Sequence, residues 1–336
     1  MKAQVPPAAA AAQRIGEYAR RLGRPGDLPG PLLDLLDRTL PLPAGHPAYP
    51  ANALCPGSYP VEVSFSELDP DALRVDVQPD LRLSPADRLA AAFELARPPA
   101  GWSRWRESLA PSRFGAFVGL SVGPVVVGPV VGTPVVVLPD RPTGARWTAY
   151  LELDHGASAL PEPFAGLVDA LRRHVPGLRP HLVSLTGDGA ERVYLEAGAG
   201  LALLDLFDWA PPSLEPVLPA LIDAVRRLTG GCLVLPGGGA LLALRPAPAG
   251  GPSGVELKVE LTRQLLVPDA IDVVQRLLVD RPSAAAGLRR WRRALPPRTE
   301  PSVVSVRIAP GCPGPRLNAY AAVLGAVAAD GRRSVA

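Results

Sequence analysis

The stretch YPVEVSFSELDPDALRVDVQ, residues 59–78, alternates apolar and polar side chains on both sides of a polar turn. Val61, Val63 and Phe65 point one way, and Glu62, Ser64 and Ser66 point the other. After SELDPDA, Leu73, Val75 and Val77 oppose Arg74, Asp76 and Gln78. Side chains two residues apart share one face of a strand, so this period predicts a β-hairpin with one apolar and one polar face. The polar face carries an acid, Glu62, and a base, Arg74, on neighbouring strands. Such a face meets either solvent or the inside of something hollow.

Four further strand pairs bear on that choice. The second is GTPVVVLPD and ARWTAYLELD around RPTG; the third is HLVSL and ERVYLEA around TGDGA. The fourth joins CLVLPGGGALLALRP to VELKVEL, and the fifth joins SVVSVRIA to RLNAYAAV around PGCPGP. Helical patterns separate them at 84–96 (Ser84 as cap, Pro85 first in the helix), 102–109, 162–174, 201–209, 214–228, 268–278 and 284–295. Two more precede the first hairpin, at 11–22 and 32–40. The strand–strand–helix–helix unit recurs roughly every 45–65 residues, a size at which one unit cannot bury its own apolar face. Ten antiparallel strands, apolar toward helices and polar on the other side, can close into a barrel wider than the roughly eight strands that side chains just fill. The expected fold is therefore α+β: a ten-stranded antiparallel β-barrel surrounded by helices and built from five repeats. Residues 1–45 form an N-terminal tail and helices, and 46–330 form a single barrel domain. An open sheet with one wet face is the alternative.

Composition removes several classes. The 336 residues are 47% hydrophobic and carry a net charge of +3, too balanced to point to nucleic acid. Three cysteines, Cys55, Cys232 and Cys312, lack paired spacing, which argues against a disulfide framework or zinc site and fits a reducing cytoplasm. The longest apolar run, 118–138, is broken repeatedly by Gly and Pro and predicts no membrane helix. No DDxxD-type helix marks a magnesium site, since DLLD and DLFD have the wrong spacing. PGGG at 236–239 lacks the Lys-Ser/Thr of a phosphate loop and reads as a turn. RRWRR at 289–293 reads as a solvated helical face with a Trp anchor. Ala, Arg, Pro and Gly dominate, as in a high-GC bacterial coding bias. Among the 35 basic residues Lys258 is the one internal lysine.

The polar side of each hairpin's second strand concentrates chemistry. It carries Arg74; Thr148 and Tyr150; Arg192 and Tyr194; Lys258 and Glu260; and Arg316, Asn318 and Tyr320. In a closed barrel these positions converge on one lumen. A ring of arginine and lysine suits a diphosphate. Tyrosine faces beside it can stabilise a carbocation and shield it from water. Ionising an allylic diphosphate makes both species at once. A wet sheet decorated with Arg–Tyr pairs is the plainer reading.

The first hairpin resembles the P-x-E-x-S…R-x-x-x-x-P opening of the indole (dimethylallyltryptophan synthase-type) prenyltransferases. The strands TAYL, RVYL, LKVEL and LNAY look like that family's K-x-Y-type strands, and the similarity covers most of residues 50–325. The resemblance implies an ABBA barrel and transfer of a dimethylallyl or longer prenyl group from its diphosphate to an indole or tryptophan-type acceptor. It implies Glu62 as the proton acceptor. Arg74, Arg192, Lys258 and Arg316 become diphosphate ligands, and Tyr150, Tyr194 and Tyr320 the cation shield. It implies no cofactor and no metal, and small-molecule partners only, with no nucleic acid or membrane, in a cytoplasmic monomer or homodimer. Arg192 replaces a lysine of the family pattern with charge kept, and two positions depart further: Thr148 stands where lysine is usual, and Glu260 where a tyrosine or similar residue is common. The departures keep two alternatives open, a non-catalytic barrel for a hydrophobic or anionic ligand and a prenyl diphosphate cyclase or hydrolase.

Overall fold

The computed structural model describes residues 6–324, apart from 25, 97–99, 110, 124–144, 155–159, 247–253 and 298. Two helices come first, α1 (Pro7–Arg21) and α2 (Gly30–Thr39). The opening hairpin follows as β1 (Val61–Ser66) and β2 (Leu73–Val77). Ser84 Oγ accepts the Asp87 N–H at 3.2 Å at the start of α3 (Pro85–Ala96). A 3₁₀ helix covers Ala100–Ser108, where the sequence predicts an ordinary helix. Then come β3 (Ala116–Val122), β4 (Ala145–Glu152), α4 (Phe164–Arg172), β5 (Leu178–Thr186) and β6 (Glu191–Ala197). A short pair, β7 (Leu201–Ala202) and β8 (Val234–Leu235), flanks α5 (Asp205–Trp209) and α6 (Leu218–Leu228). The chain continues through β9 (Ala240–Pro246), β10 (Val255–Thr262), α7 (Ala270–Leu277), α8 (Pro282–Ala294), β11 (Val303–Ile308) and β12 (Arg316–Ala322).

Ten of these strands close into an antiparallel barrel in the order β1-β12-β11-β10-β9-β6-β5-β4-β3-β2. The last strand pairs with the first, from Glu62↔Ala322 to Ser66↔Asn318, so the sheet has no open edge. This is the predicted ten-stranded barrel and not the open sheet. Two expectations change in detail. The strand expected at 132–140 lies outside the described residues, and β4 pairs instead with β3. Leu201–Ala202 and Val234–Leu235 form a two-stranded sheet of their own, so the helix expected from 201 begins at Asp205, and the fourth barrel hairpin begins at Ala240.

The two strand faces separate cleanly. Val63, Val75, Val118, Ala149, Val183, Val193, Leu242, Val259, Val304 and Ala319 form a buried outer layer under the helices. Ile15 of α1, Leu32 and Leu36 of α2, Val225 of α6, Val274 of α7 and Trp291 of α8 join the same apolar cluster. A slip of one residue in any strand would exchange this layer for the polar set, which fixes the register. No helix among the described residues is long and apolar enough to cross a membrane.

Candidate active site

Strand register places the predicted side chains on the inner face. Glu62 lies opposite Asp76, Asp76 opposite Gly119, and Gly119 opposite Thr148. Tyr150 lies opposite Ser184, and Ser184 opposite Arg192. Tyr194, Ala243, Lys258, Arg307 and Arg316 form another row, and Glu260, Ser305, Asn318 and Ser66 a third. Tyr320 faces Ser64. Thus Glu62, Arg74, Tyr150, Arg192, Tyr194, Lys258, Arg316 and Tyr320 all occupy the face opposite the helix-covered layer, as do Thr148 and Glu260.

At the middle of this lumen, the Lys258 ammonium is 5.3 Å from the centre of the Tyr194 ring and 5.9 Å from that of Tyr320. Tyr150 meets Tyr194 edge-on at 6.4 Å. Lys258 also closes an ion pair with Glu260. Burial alone would lower the Lys258 pKa, but Glu260, Tyr194 and Tyr320 outweigh it and hold the ammonium charged. Burial pushes Tyr320 up to about 12, and takes Tyr150 well above the phenol range with help from Asp76, so both rings stay neutral.

The charges divide along the barrel axis. Strands alternate in direction, so the starts of odd-numbered hairpin strands and the ends of their partners share one mouth. Toward the mouth holding the start of β1 stand Glu62, Asp76, Glu152 and Glu196, with Glu260 between them and Lys258. Toward the other mouth stand Arg74, Arg146, Arg192, Arg245, Arg307 and Arg316. At that basic end Arg192 and Arg307 share Glu256, the latter at 3.2 Å. Arg316 and Arg281 each reach Glu67 at 2.6 Å. The buried Nε atoms of Arg74, Arg192 and Arg316, and the Ser121 hydroxyl, have no hydrogen-bond partner among the described residues. Buried donors left unmade cost free energy until something accepts from them, and a cluster of cationic donors selects an anion.

At the acidic end, Ser302 donates to Glu62 at 2.9 Å and the Cys55 thiol lies 3.5 Å from the same oxygen. Burial and the Asp76 charge nevertheless hold Glu62 above the ordinary carboxylate range. Burial likewise raises Asp76, against the opposing pull of Arg74 and Lys258. Glu152 behaves differently. It is fully buried, but the backbone N–H groups of Arg113, Phe114 and Gly115 donate to it at 3.0, 2.8 and 2.7 Å. These bonds outweigh burial and lower its pKa. Its work is structural: it clasps the 113–115 turn against the barrel. That turn brings Phe114 into a second apolar cluster with Leu182, Tyr194 and Ala243, flanked by Phe117, Tyr150 and Leu241. The lumen therefore has an apolar wall beside its tyrosines.

Several of these residues escape the sequence reading. Arg245 and Arg307 lie on the first strands of their hairpins, although the same two-residue period marks them. Asp76 stands beside Arg74 in that period and receives no role there. Phe114, Phe117 and Ser302 carry no sequence signal for the lumen, because only closure of the barrel brings them to it. Among the described residues no group of three His, Cys, Asp or Glu side chains is placed to hold a metal ion.

No protein-family model and no curated protein sequence matches the chain. Solved structures do. A 6-dimethylallyl tryptophan synthase superposes with a TM-score of 0.63 at 16% identity, over 96% of this chain and 97% of that one. A 5-dimethylallyl tryptophan synthase from Streptomyces coelicolor, in complex with DMASPP and Trp, gives 0.62 at 16% identity over 98% and 97%. AnaPT from Neosartorya fischeri gives 0.57 at 13% identity over 94% and 92%. The chain has the ten-stranded ABBA barrel fold of the tryptophan and indole prenyltransferases.

Proposed function

We propose that the protein is an aromatic prenyltransferase, which moves an allylic prenyl group from its diphosphate to an indole or tryptophan-type acceptor. One observation carries this reading: a single lumen has clustered arginines toward one mouth, three of whose Nε donors lack a hydrogen-bond partner among the described residues, the carboxyls of Glu62 and Asp76 toward the other, and tyrosine rings between them. The diphosphate sits toward the basic end, with Arg74, Arg192, Arg245 and Arg307 as its ligands and Arg316 at the rim. Lys258, at mid-lumen, reaches the bridging or leaving oxygen. As the carbon–oxygen bond breaks, its electron pair leaves with the diphosphate. Tyr150, Tyr194 and Tyr320 face the allyl cation, whose charge their ring faces attract. The acceptor lies against the Phe114–Phe117 wall, and its proton passes to Glu62 once the ring has formed the new carbon–carbon bond. The raised pKa of Glu62 makes it a stronger base than a solvated carboxylate. The arginines supply the charge neutralisation, and the protein acts in solution on small molecules.

The fold neighbours support this reading, since one was solved in ternary complex with L-tryptophan and dimethylallyl thiolodiphosphate. The test is incubation with dimethylallyl diphosphate and tryptophan, then with simpler indoles, with mass spectrometry for a prenyl adduct. Absence of an adduct with every aromatic acceptor and with longer prenyl donors would sink it. A second reading, a barrel that binds an anion without turnover, rests on the Lys258–Glu260 pair. Diphosphate binding with no adduct, unchanged by Glu62→Gln, would favour it. Diphosphate release with no acceptor present would point to cyclisation or hydrolysis.

A further inference from the structure

We propose that Asp76 and Glu62 form one proton-sharing carboxyl pair, so that the base of this site is two side chains acting together. The proposal rests on the reading that Glu62 accepts the acceptor's proton. Glu62 and Asp76 are direct cross-strand partners on the inner face, and side chains so placed lie in contact range. Both are buried, at 5% and 8% exposure. The Asp76 carboxyl is held by no side-chain hydrogen bond or ion pair to a described residue, and only the charges of Arg74 and Lys258 act on it to offset burial and Glu260.

The opposite neighbour of Asp76 explains where its carboxyl goes. That neighbour is Gly119, and a Cβ added there would lie 2.4 Å from Asp76 Oδ1 and 3.4 Å from Tyr150 Cε2. The carboxyl fills the space that any side chain at 119 would take, on the face it shares with Glu62 and beside the Tyr150 ring. Other charged or titratable groups face the pair from every side. Cys55 precedes β1, Arg74 is on β2, Tyr150 on β4, Tyr194 on β6, Lys258 and Glu260 on β10, and Tyr320 on β12. The nearest lysine is already tied to Glu260, and Arg74 is the one cation on the pair's own strands. Two buried carboxylates on facing strands repel when both are ionised, and one proton held between them relieves this.

The ionised pair is therefore a poised base. In the transfer step the allylic carbon bonds to the ring, the carbon–oxygen electron pair departs with the diphosphate, and the ring proton goes to the pair. The pair passes from no proton to one and returns the proton to water for the next turnover. Asp76 acts through Glu62 and is a positioning residue.

The experiment has two readouts. Infrared titration of the carboxyl band in the ligand-free protein reports the pair without substrate. In the wild type the last proton leaves at a higher pH than in Asp76→Asn, where Glu62 titrates alone, about one pH unit or more lower. The acidic limb of kcat/KM moves down by a similar amount, and Asp76→Glu restores both. Circular dichroism confirms that each variant is folded. A Glu62 titration unchanged in folded Asp76→Asn would overturn the proposal, whether or not prenyl transfer is found. A lost adduct with the infrared shift intact would instead count against the proposed function.

Discussion

Lys258 and Glu260, two residues apart on β10, close an ion pair in the middle of the lumen beneath two tyrosine rings. The lysine side chain is 4% exposed and that of Glu260 17%, so water does little to screen them. A diphosphate oxygen that seeks Lys258 must compete with this carboxylate. Glu260→Gln removes the competitor and leaves a buried ammonium unpaired, which is costly. The variant is expected to bind inorganic diphosphate about tenfold more tightly, a gain of about 1.4 kcal/mol, and to melt at a lower temperature when empty. Isothermal titration and scanning calorimetry measure the two. Equal diphosphate affinity in both proteins would show that Lys258 does not contact the anion.

Glu62→Gln keeps the size of the side chain and removes its basicity. Loss of a general base costs about 10²–10⁴ in rate. The expected result is that drop in kcat with diphosphate affinity unchanged, since Glu62 sits toward the opposite mouth from the arginines. A matching loss of diphosphate affinity would place Glu62 in the anion site instead.

The arginines on the first strands of hairpins four and five are the next test. Arg307→Gln removes one of the two cations paired with Glu256, and Arg245→Gln removes the cation directly across the strand ladder from it. A charge-assisted hydrogen bond lost to water is worth about 1.5–3 kcal/mol, so KM for the prenyl diphosphate should rise about tenfold or more. Arg192→Lys keeps the charge and loses the fork, and should show part of that effect. Unchanged KM in all three would move the anion elsewhere.

Stability should depend on pH in a direction set by the carboxyls. Glu62 and Asp76 have folded pKa values raised by burial. A raised carboxyl binds its proton more tightly folded than unfolded. Its contribution is full below the ordinary carboxylate range and is lost as pH rises through the raised one. Wild type should therefore lose stability between about pH 5 and pH 9 relative to Glu62→Gln. Glu152 has a lowered pKa and acts oppositely, contributing above the ordinary range and failing in acid. Melting temperature against pH for wild type, Glu62→Gln and Glu152→Gln separates the two limbs.

The clasp at the acidic mouth is fragile at one residue. Gly115 has φ of +75°, and a Cβ there would sit 2.0 Å from the Pro85 carbonyl oxygen. Gly115→Ala should cost about 2 kcal/mol or more and disturb the N–H that Glu152 accepts. Denaturant unfolding reads the loss, and a stability within 0.5 kcal/mol (about experimental noise for surface changes) would show that the turn relaxes freely.

The polar faces of the second strands were legible because alternation is a local property. Arg74, Tyr150, Arg192, Tyr194, Lys258 and Tyr320 could be placed on one face from period two alone. β3 was not legible. Its inner face is Phe117, Gly119 and Ser121, which lacks the polar contrast of the other strands, and an apolar Gly/Pro-rich run follows it. Phe114 and Ser302 were invisible for another reason: neither is in a strand, and each reaches the lumen from a neighbouring segment. The Lys258–Glu260 pair was within reach of the sequence, since the two stand two residues apart on one strand face. Nothing local shows that Arg316 leans on Glu67 at the rim.

Sequence by itself determined which side chains share one strand face, because successive residues of a strand must point to opposite faces. It left two places for the polar face, the lumen of a closed barrel or the wet surface of an open sheet, and closure decided between them. Tertiary structure decided how those inward residues meet. Pairing of β1 with β2 set Glu62 beside Asp76, pairing of β2 with β3 left Gly119 open for that carboxyl, and closure of β1 on β12 brought Tyr320 to the same lumen. Strand direction gathered Arg74, Arg192, Arg245, Arg307 and Arg316 toward one mouth, with Glu256 and Glu67 among them, and set Glu62 and Asp76 toward the other. Apart from the β1–β2 hairpin, these are relations between strands distant in the chain, and register across the closed barrel is what fixes them.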